Sequence, residues 1–414
     1  MKRILFISHR IPYPPDKGDK IRSFNEIKYL SQNYLIDIIT FIDHPRDYKH
    51  VKYLKQYCNE LHIYPIKRVF FLIKAAIFFL FGKTLSEGYY FSRQVARKVQ
   101  ELLSSNDYKF AFCYSSQIAQ YLIDKNINKI IDFCDVDSLK WRQYSQRRGF
   151  PFNIIFKMEG YRLSKAEKNI YPNFDYSLFS TRTELKIFNP SSSNHFYVLP
   201  NGVDYEYFKP QKMRKLNRLI FFGTMDYYAN IDAVVWFSKM VFPLILKKNP
   251  EVEFYIVGRH PDNGLIDLAK QNKNIVVTGY VEDIRPYVAA SKLAVFPLRI
   301  ARGIQNKILE AMAMEIPVVI PRDIYETFEN LDENDVLIYE DEKSMADIIL
   351  NALDEETLQE RLGRNLRNYV KNYHDWNVIF QDFDEFCSKN CFEVQNIPSI
   401  SYKKKPSSLE SSKI

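Results

Sequence analysis

The densest chemistry in the chain lies between Arg299 and Val319, which reads RIARGIQNKILEAMAMEIPVV. Lys307 and Glu310 stand three residues apart, so a helix sets an ammonium and a carboxylate on one face. Ile308, Leu309, Met312 and Ala313 take the adjoining apolar face, and this spacing predicts a helix starting near Gln305. Gly303 and two arginines, Arg299 and Arg302, precede that start. Free backbone N–H groups beside cationic side chains suit an anion such as a diphosphate. Glu310, one turn in, is placed to accept hydrogen bonds from the vicinal hydroxyls of a sugar. The stretch reads as a nucleotide-sugar site, with an amphipathic helix carrying solvated charges as the other reading.

Such a helix needs a sheet to hold it, and the chain supplies strand after strand. Short apolar runs at Ile4–Ser8, Leu35–Phe41, Leu61–Ile66, Phe110–Ser115 and Lys129–Cys134 alternate with helical stretches, followed by Asp175–Ser180 and Phe196–Asp204. Pro200-Asn201-Gly202 marks a turn, and residues 204–217 read as a linker. The pattern restarts at Arg218–Gly223 and continues through Glu253–Gly258, Asn274–Gly279, Leu293–Leu298, Pro317–Ile320 and Asp335–Glu340. Alternation of this kind predicts α/β architecture with parallel sheets. Gly18, in the loop after the first strand, opens a helix near Asp19, where open α/β sheets place phosphates. Gly223, Gly258 and Gly279 end strands in the second half and leave room for close approach of a ligand. Asn230 and Asp232 sit where a helix N-cap belongs. The expected division is 1–204 and 217–372 as two domains, 205–216 as linker, 373–390 as a terminal helix returning to the first domain, and 391–414 as a disordered tail.

A chain of 414 residues is too long for one ordinary core, and its 46% hydrophobic and 26% charged residues are ordinary for a globular protein. The charge is uneven. Residues 1–200 hold 31 Lys and Arg against 18 Asp and Glu, whereas the remainder holds 27 against 32. A basic first half meets something anionic. No zinc-finger spacing, RNA-binding aromatic signature or basic zipper accompanies it, so an anionic membrane surface is expected and nucleic acid is not. Val69–Phe81, VFFLIKAAIFFLF, is too short to cross a bilayer, which takes roughly 20 apolar residues. It reads as a buried helix or as one lying in the interface with Phe70, Phe71 and Lys74 toward lipid. The basic, aromatic stretch Leu139–Lys168, with Arg147 and Arg148, is a second lipid-facing candidate; a solvated helix face is its other reading. Five cysteines without CxxC spacing fit a reducing cytoplasm. With no signal peptide ahead of the first strand, a cytoplasmic, peripheral location is expected.

VLPNGVDYEYF at the junction and GIQNKILEAMAMEIPVV in the second half resemble the GT-B glycosyltransferases of family 4, group 1. SHRIPYPPDKGDKIRSF, FCDVDSLKW, GTMDYYANIDAVVWF and PLRIARGIQNKILEAMAM resemble a narrower subgroup, sugar transferases of bacterial exopolysaccharide and protein-sorting loci. The resemblance implies two Rossmann-like domains facing a cleft, and metal-independent, retaining transfer from a nucleoside-diphosphate sugar to a glycan or lipid-linked acceptor. No cofactor is implied. Glu310 matches the second glutamate of the family's Glu-x7-Glu motif, which binds ribose hydroxyls, and the N–H groups of Ile304 and Gln305 match the segment touching the diphosphate.

Two departures stand out. The motif's first glutamate is replaced by Arg302, and the arginine expected after the first strand of the second domain is missing, leaving Gly223-Thr224-Met225. Arg302 beside Lys307 is expected to rebuild the cationic clamp, and with Asp135 these form the expected catalytic set. Gly18, Gly223, Thr224 and Gly258 join Ile304, Gln305, Lys307 and Glu310 on the donor side. His9 and Asp137 are acceptor-side candidates. Asp135-Val136-Asp137 resembles the metal-binding Asp-x-Asp of the other large glycosyltransferase fold, but its setting after a first-domain strand argues against a metal there, and capping by Asp137 or Ser138 is its plainer use. A catalytically silent partner in a glycan assembly complex and a sugar epimerase on the same scaffold are the competing functions.

Overall fold

The computed structural model describes residues 1–188, 190, 196–300 and 303–389, with the side chains of Arg147 and of 386–389 outside that set. The β-branched and aromatic runs form strands, and the central ones of each sheet are buried on both faces, as parallel sheets require. In the first half these are β1 (Lys2–Ser8), β2 (Tyr34–Ile42), β3 (Glu60–Pro65), β4 (Tyr108–Tyr114), β5 (Lys129–Cys134), β6 (Tyr176–Phe179) and β7 (Phe196–Val198). They form one parallel sheet in the order β3-β2-β1-β4-β5-β6-β7. The second half contributes β8 (Leu216–Phe222), β9 (Glu253–Val257), β10 (Ile275–Gly279), β11 (Ser291–Val295), β12 (Val318–Pro321) and β13 (Leu337–Tyr339), in the order β10-β9-β8-β11-β12-β13. In both sheets the order reverses direction beside the first strand, and loops at the strands' C-terminal ends open a crevice there. Two apolar clusters cover the two faces of the first sheet and one fills the second half. This is the GT-B architecture.

The chain crosses between the halves at Leu199–Val203 and again at His374–Trp376. The two crossings are tied together: Val203 N–H donates to the His374 carbonyl at 2.8 Å, and His374 Nδ1 donates to the Asn201 carbonyl at 2.8 Å. Burial pulls His374 down to about 4, so the imidazole is neutral at physiological pH. Gly202 is a glycine because a Cβ there would lie 2.6 Å from the Trp376 ring. Two helices, Glu356–Tyr373 and Trp376–Lys389, meet at this crossing, the second lying within the span expected for the terminal helix. The second packs on the first half, with Phe380 stacked on Tyr29 at 4.3 Å.

The apolar run Arg68–Leu80 is a helix with an unusual outer surface. Phe70 is 60% exposed, and Val69, Leu72, Ile73, Ile77 and Leu80 are exposed with it. Phe71 is buried, so it does not face outward, and Lys74 turns inward too, donating to the Phe91 carbonyl with its ammonium 3.7 Å from the Phe71 ring centre. Both reverse the expected lipid-facing role. Arg148 points at the second half, 4.8 Å from the Tyr228 ring centre, rather than away from the protein. Arg147's side chain lies outside the described residues.

Candidate active site

The helix Asn306–Ala313 is seated by Ile308, Leu309, Met312 and Ala313, all fully buried. Gln305 at its N-cap has extended backbone and provides no side-chain cap, while its carbonyl accepts from the Ile308 N–H at 2.9 Å. Lys307 leaves this helix for the loop after β8. Its ammonium donates to Asn230 Oδ1 and lies 4.6 Å from the Phe221 ring centre. Asn230 Nδ2 in turn donates to the Thr224 carbonyl at 2.8 Å. Gly223, at φ +149°, has room for no side chain, since a Cβ would sit 2.9 Å from Asn230 Nδ2. Lys307, Asn230, Gly223 and Thr224 are therefore one cluster joining two loops.

Asn230 is not a helix cap. The helix begins at Tyr228, with Tyr227 at its N-cap, and Asn230 N–H is spent on the Tyr227 carbonyl at 2.9 Å. Asp232 is also inside that helix and pairs with Arg299 at 2.6 Å, which takes Arg299 out of the expected anion site. Gly258 answers to a protein neighbour: a Cβ would stand 1.7 Å from the Gly223 carbonyl oxygen. Arg302 lies outside the described residues.

Lys307 and Glu310 shift toward each other in acidity. Desolvation lowers Lys307 to about 7 and raises Glu310 to about 7, each restrained by the other's charge. Both groups change protonation near neutrality.

The first half closes on this site at Gly303, whose φ is +60°. A Cβ on Gly303 would lie 2.7 Å from Asp135 Oδ1 and 2.9 Å from Ser180 Oγ. Ser180 donates to Asp135 at 2.7 Å; burial raises the Asp135 carboxyl and the Ser180 bond opposes the rise. Asn201 Nδ2 donates to the Ile304 carbonyl at 2.9 Å, while Asn201 Oδ1 accepts from Arg22, which is paired with Asp132 in the first-half core. Asp137 is the first residue of its helix, not the cap, and accepts from Gln117 at 3.3 Å; Ser138 donates to Glu167 instead of capping. The two aspartates therefore take different partners. His9 is buried, its ring parallel to Tyr114, with Nε2 3.4 Å from Asp19. Gly18 starts the helix Gly18–Leu30, two residues from Asp16, which pairs with Arg259 of the second half at 2.7 Å.

Residues 217–355 match the family model Glycosyl transferases group 1. That stretch of the second half is similar to a group 1 glycosyltransferase domain. Over 399 residues the chain is 20% identical to an uncharacterized 44.6 kDa protein in the cps region of Klebsiella pneumoniae, covering 92% of this chain and 98% of that one. It is 24% identical to the capsular polysaccharide biosynthesis glycosyltransferase CapM of Staphylococcus aureus, over 57% of this chain and 65% of CapM. Among solved structures, sucrose-phosphate synthase from Thermosynechococcus elongatus has a TM-score of 0.69 at 14% identity, covering 94% and 99% of the two chains. Anabaena HepE, solved in complex with UDP and glucose, has a TM-score of 0.66 at 14% identity, covering 94% and 100%. These structures share the GT-B fold with this chain.

Within the matched residues, Lys307 and Glu310 are legible from spacing. Asn230 reads as a cap in the sequence because its true partner is 77 positions away. Asn201 and Ser180 give no signal beyond a turn and a strand end.

Proposed function

We propose that this chain is a retaining, metal-independent hexosyltransferase of family 4, in the exopolysaccharide-associated subgroup. It moves a sugar from a nucleoside diphosphate to a glycan or lipid-linked acceptor in surface polysaccharide synthesis. The observation that carries this reading is Lys307 on the group 1 domain, drawn by Asn230 over the Gly223–Thr224 loop beside an uncapped helix start. The capsular relatives support the direction, as does HepE, a structural neighbour in complex with UDP and glucose.

In this reading Glu310 accepts from the ribose hydroxyls, and the diphosphate meets Lys307 and the N–H groups of Ile304 and Gln305. The bond between the anomeric carbon and the diphosphate oxygen breaks, and its electron pair leaves with the diphosphate. The acceptor hydroxyl bonds to the same face of the carbon, and its proton passes to the departing phosphate. Preplaced donors and an ammonium stabilise the charge that develops there. Arg302, next to Gly303 in sequence, adds a cation to the same clamp. Asp135 and His9 lie on the acceptor side, and the exposed apolar face of Arg68–Leu80 rests on an anionic membrane at the cytoplasmic side.

A thermal-shift panel of UDP, GDP, ADP, TDP and their sugar conjugates tests the donor site, since a ligand that binds only the folded state raises its stability. One base is expected to give a shift that Glu310→Ala abolishes and that Arg302→Ala and Lys307→Met reduce. No shift with any nucleotide on folded protein sinks the reading, and an unchanged shift in Arg302→Ala removes Arg302 from the clamp.

A further inference from the structure

The loop after β8, Gly223 to Tyr227, carries no cation of its own, and the structure shows one approaching it from the opposite half. Lys140 belongs to the first-half helix Asp137–Arg147. Its ammonium lies 5.8 Å from the ring centre of Tyr227, the last residue before the helix that holds Asn230. Tyr144, one turn on, meets the Tyr228 ring edge-on at 6.4 Å, and Arg148 covers the same ring.

Two relations tie Lys140 to the candidate donor loops. On one side is Tyr227, whose carbonyl holds Asn230, the partner of Lys307. On the other is Asp135, five residues earlier, in whose field the ammonium lies and whose oxygen faces Gly303. Half-buried, Lys140 forms no ion pair or hydrogen bond among the described residues, and its ammonium faces the Tyr227 ring. Burial works against its charge, while the Asp137 and Asp135 carboxylates favour it, and the ammonium stays protonated. With no hydrogen bond to Asp135 or Asp137, the ammonium keeps its donors for a phosphate oxygen.

We propose that Lys140 is the cation that the first half lends to the donor site: it contacts the donor's diphosphate and supplies the positive charge missing from the Gly223–Tyr227 loop. This rests on the glycosyltransferase reading and adds to it a residue of the other domain. The donor's phosphates then become a bridge between the halves, with Lys307 on one side and Lys140 on the other. The halves are drawn together by the substrate itself.

The test compares wild type, Lys140→Met and Lys140→Arg by calorimetric titration with the nucleoside diphosphate that the wild type binds, and with the corresponding nucleoside. Lys140→Met is expected to lose roughly tenfold to a hundredfold in diphosphate affinity, the range for one charge-assisted contact. Its nucleoside affinity is expected to be unchanged, and Lys140→Arg to recover most of the loss. Equal losses for nucleoside and diphosphate would show a merely structural role at Tyr227, and unchanged diphosphate affinity would overturn the proposal outright. Wild-type protein binding no nucleoside diphosphate overturns the parent reading and this one together. Melting temperatures without ligand establish that each variant is folded.

Discussion

In the proposed reading Lys307 and Glu310 must each be charged to serve a donor, whereas burial pushes each toward neutrality. Lys307 at about 7 loses its proton as pH rises, and Glu310 at about 7 gains one as pH falls. If the ammonium meets the diphosphate and the carboxylate meets the ribose, affinity peaks near pH 7 and falls on both sides. The fall is about tenfold per pH unit once each group has switched. Lys307→Arg is expected to flatten the alkaline limb, because a guanidinium stays charged, and Glu310→Gln to flatten the acid limb. Comparing variants with wild type subtracts the phosphate's own ionisation near pH ~6. Titration calorimetry across pH 5.5 to 8.5 reads this directly, and a wild-type profile flat across that range would refute the pairing. The pair is legible in the sequence because i to i+3 spacing on a helix is a local fact. Its dependence on Asn230 is not, since that contact exists only once β8 and the Asn306–Ala313 helix are neighbours.

At the scale of elements, the strands are readable nearly end to end, because a β-branched run buried on both faces leaves the same mark wherever it occurs. Helix boundaries are less so. Tyr227 starts a helix without a capping side chain, and the break at His374–Asp375 comes from tertiary pairing with Val203, which local periodicity does not carry. The direction of side chains on an apolar helix is equally invisible to composition. The Arg68–Leu80 helix shows six large exposed apolar side chains while Phe71 and Ala75 face the core. It adjoins the helix Phe152–Ile170, where Phe152, Ile154, Met158 and Tyr161 are exposed and Arg162 reaches the carbonyls of Phe79 and Lys83. Both helices thus expose apolar side chains, and Lys67, Arg68, Lys83, Lys157 and Lys165 are exposed on or beside them, the composition on which the proposed membrane contact rests. Replacing Phe70, Ile73 and Phe152 together by serine is expected to weaken binding to anionic phospholipid vesicles by tenfold or more, given roughly 1.5–3 kcal/mol per buried large side chain. Flotation with and without the substitutions measures this. Equal recovery with vesicles for both proteins would remove the membrane role.

The whole molecule is two parallel-sheet halves joined at one doubled crossing, with the site assembled from both. Asn201 sits where these features meet, bonded through its side chain to the Ile304 carbonyl and to Arg22, and through its backbone to His374. The donor loop is thereby connected to the first-half core and to the crossing itself. Gly303 against Asp135 is a second point of closure, and Asp16 with Arg259 a third. Such an arrangement suits a reaction whose two substrates enter from different domains and must be enclosed before transfer. Its central claim is catalytic, so turnover is the decisive quantity. The measurement is release of nucleoside diphosphate from the sugar nucleotide that the wild-type chain binds, compared with Lys307→Met. Release by the wild type is expected, with a loss of about a hundredfold or more in the variant, the scale for removing one stabiliser of leaving-group charge. Wild type and variant that bind the nucleotide yet release it at the same background rate would contradict it, and would make the chain a silent partner on a glycosyltransferase fold.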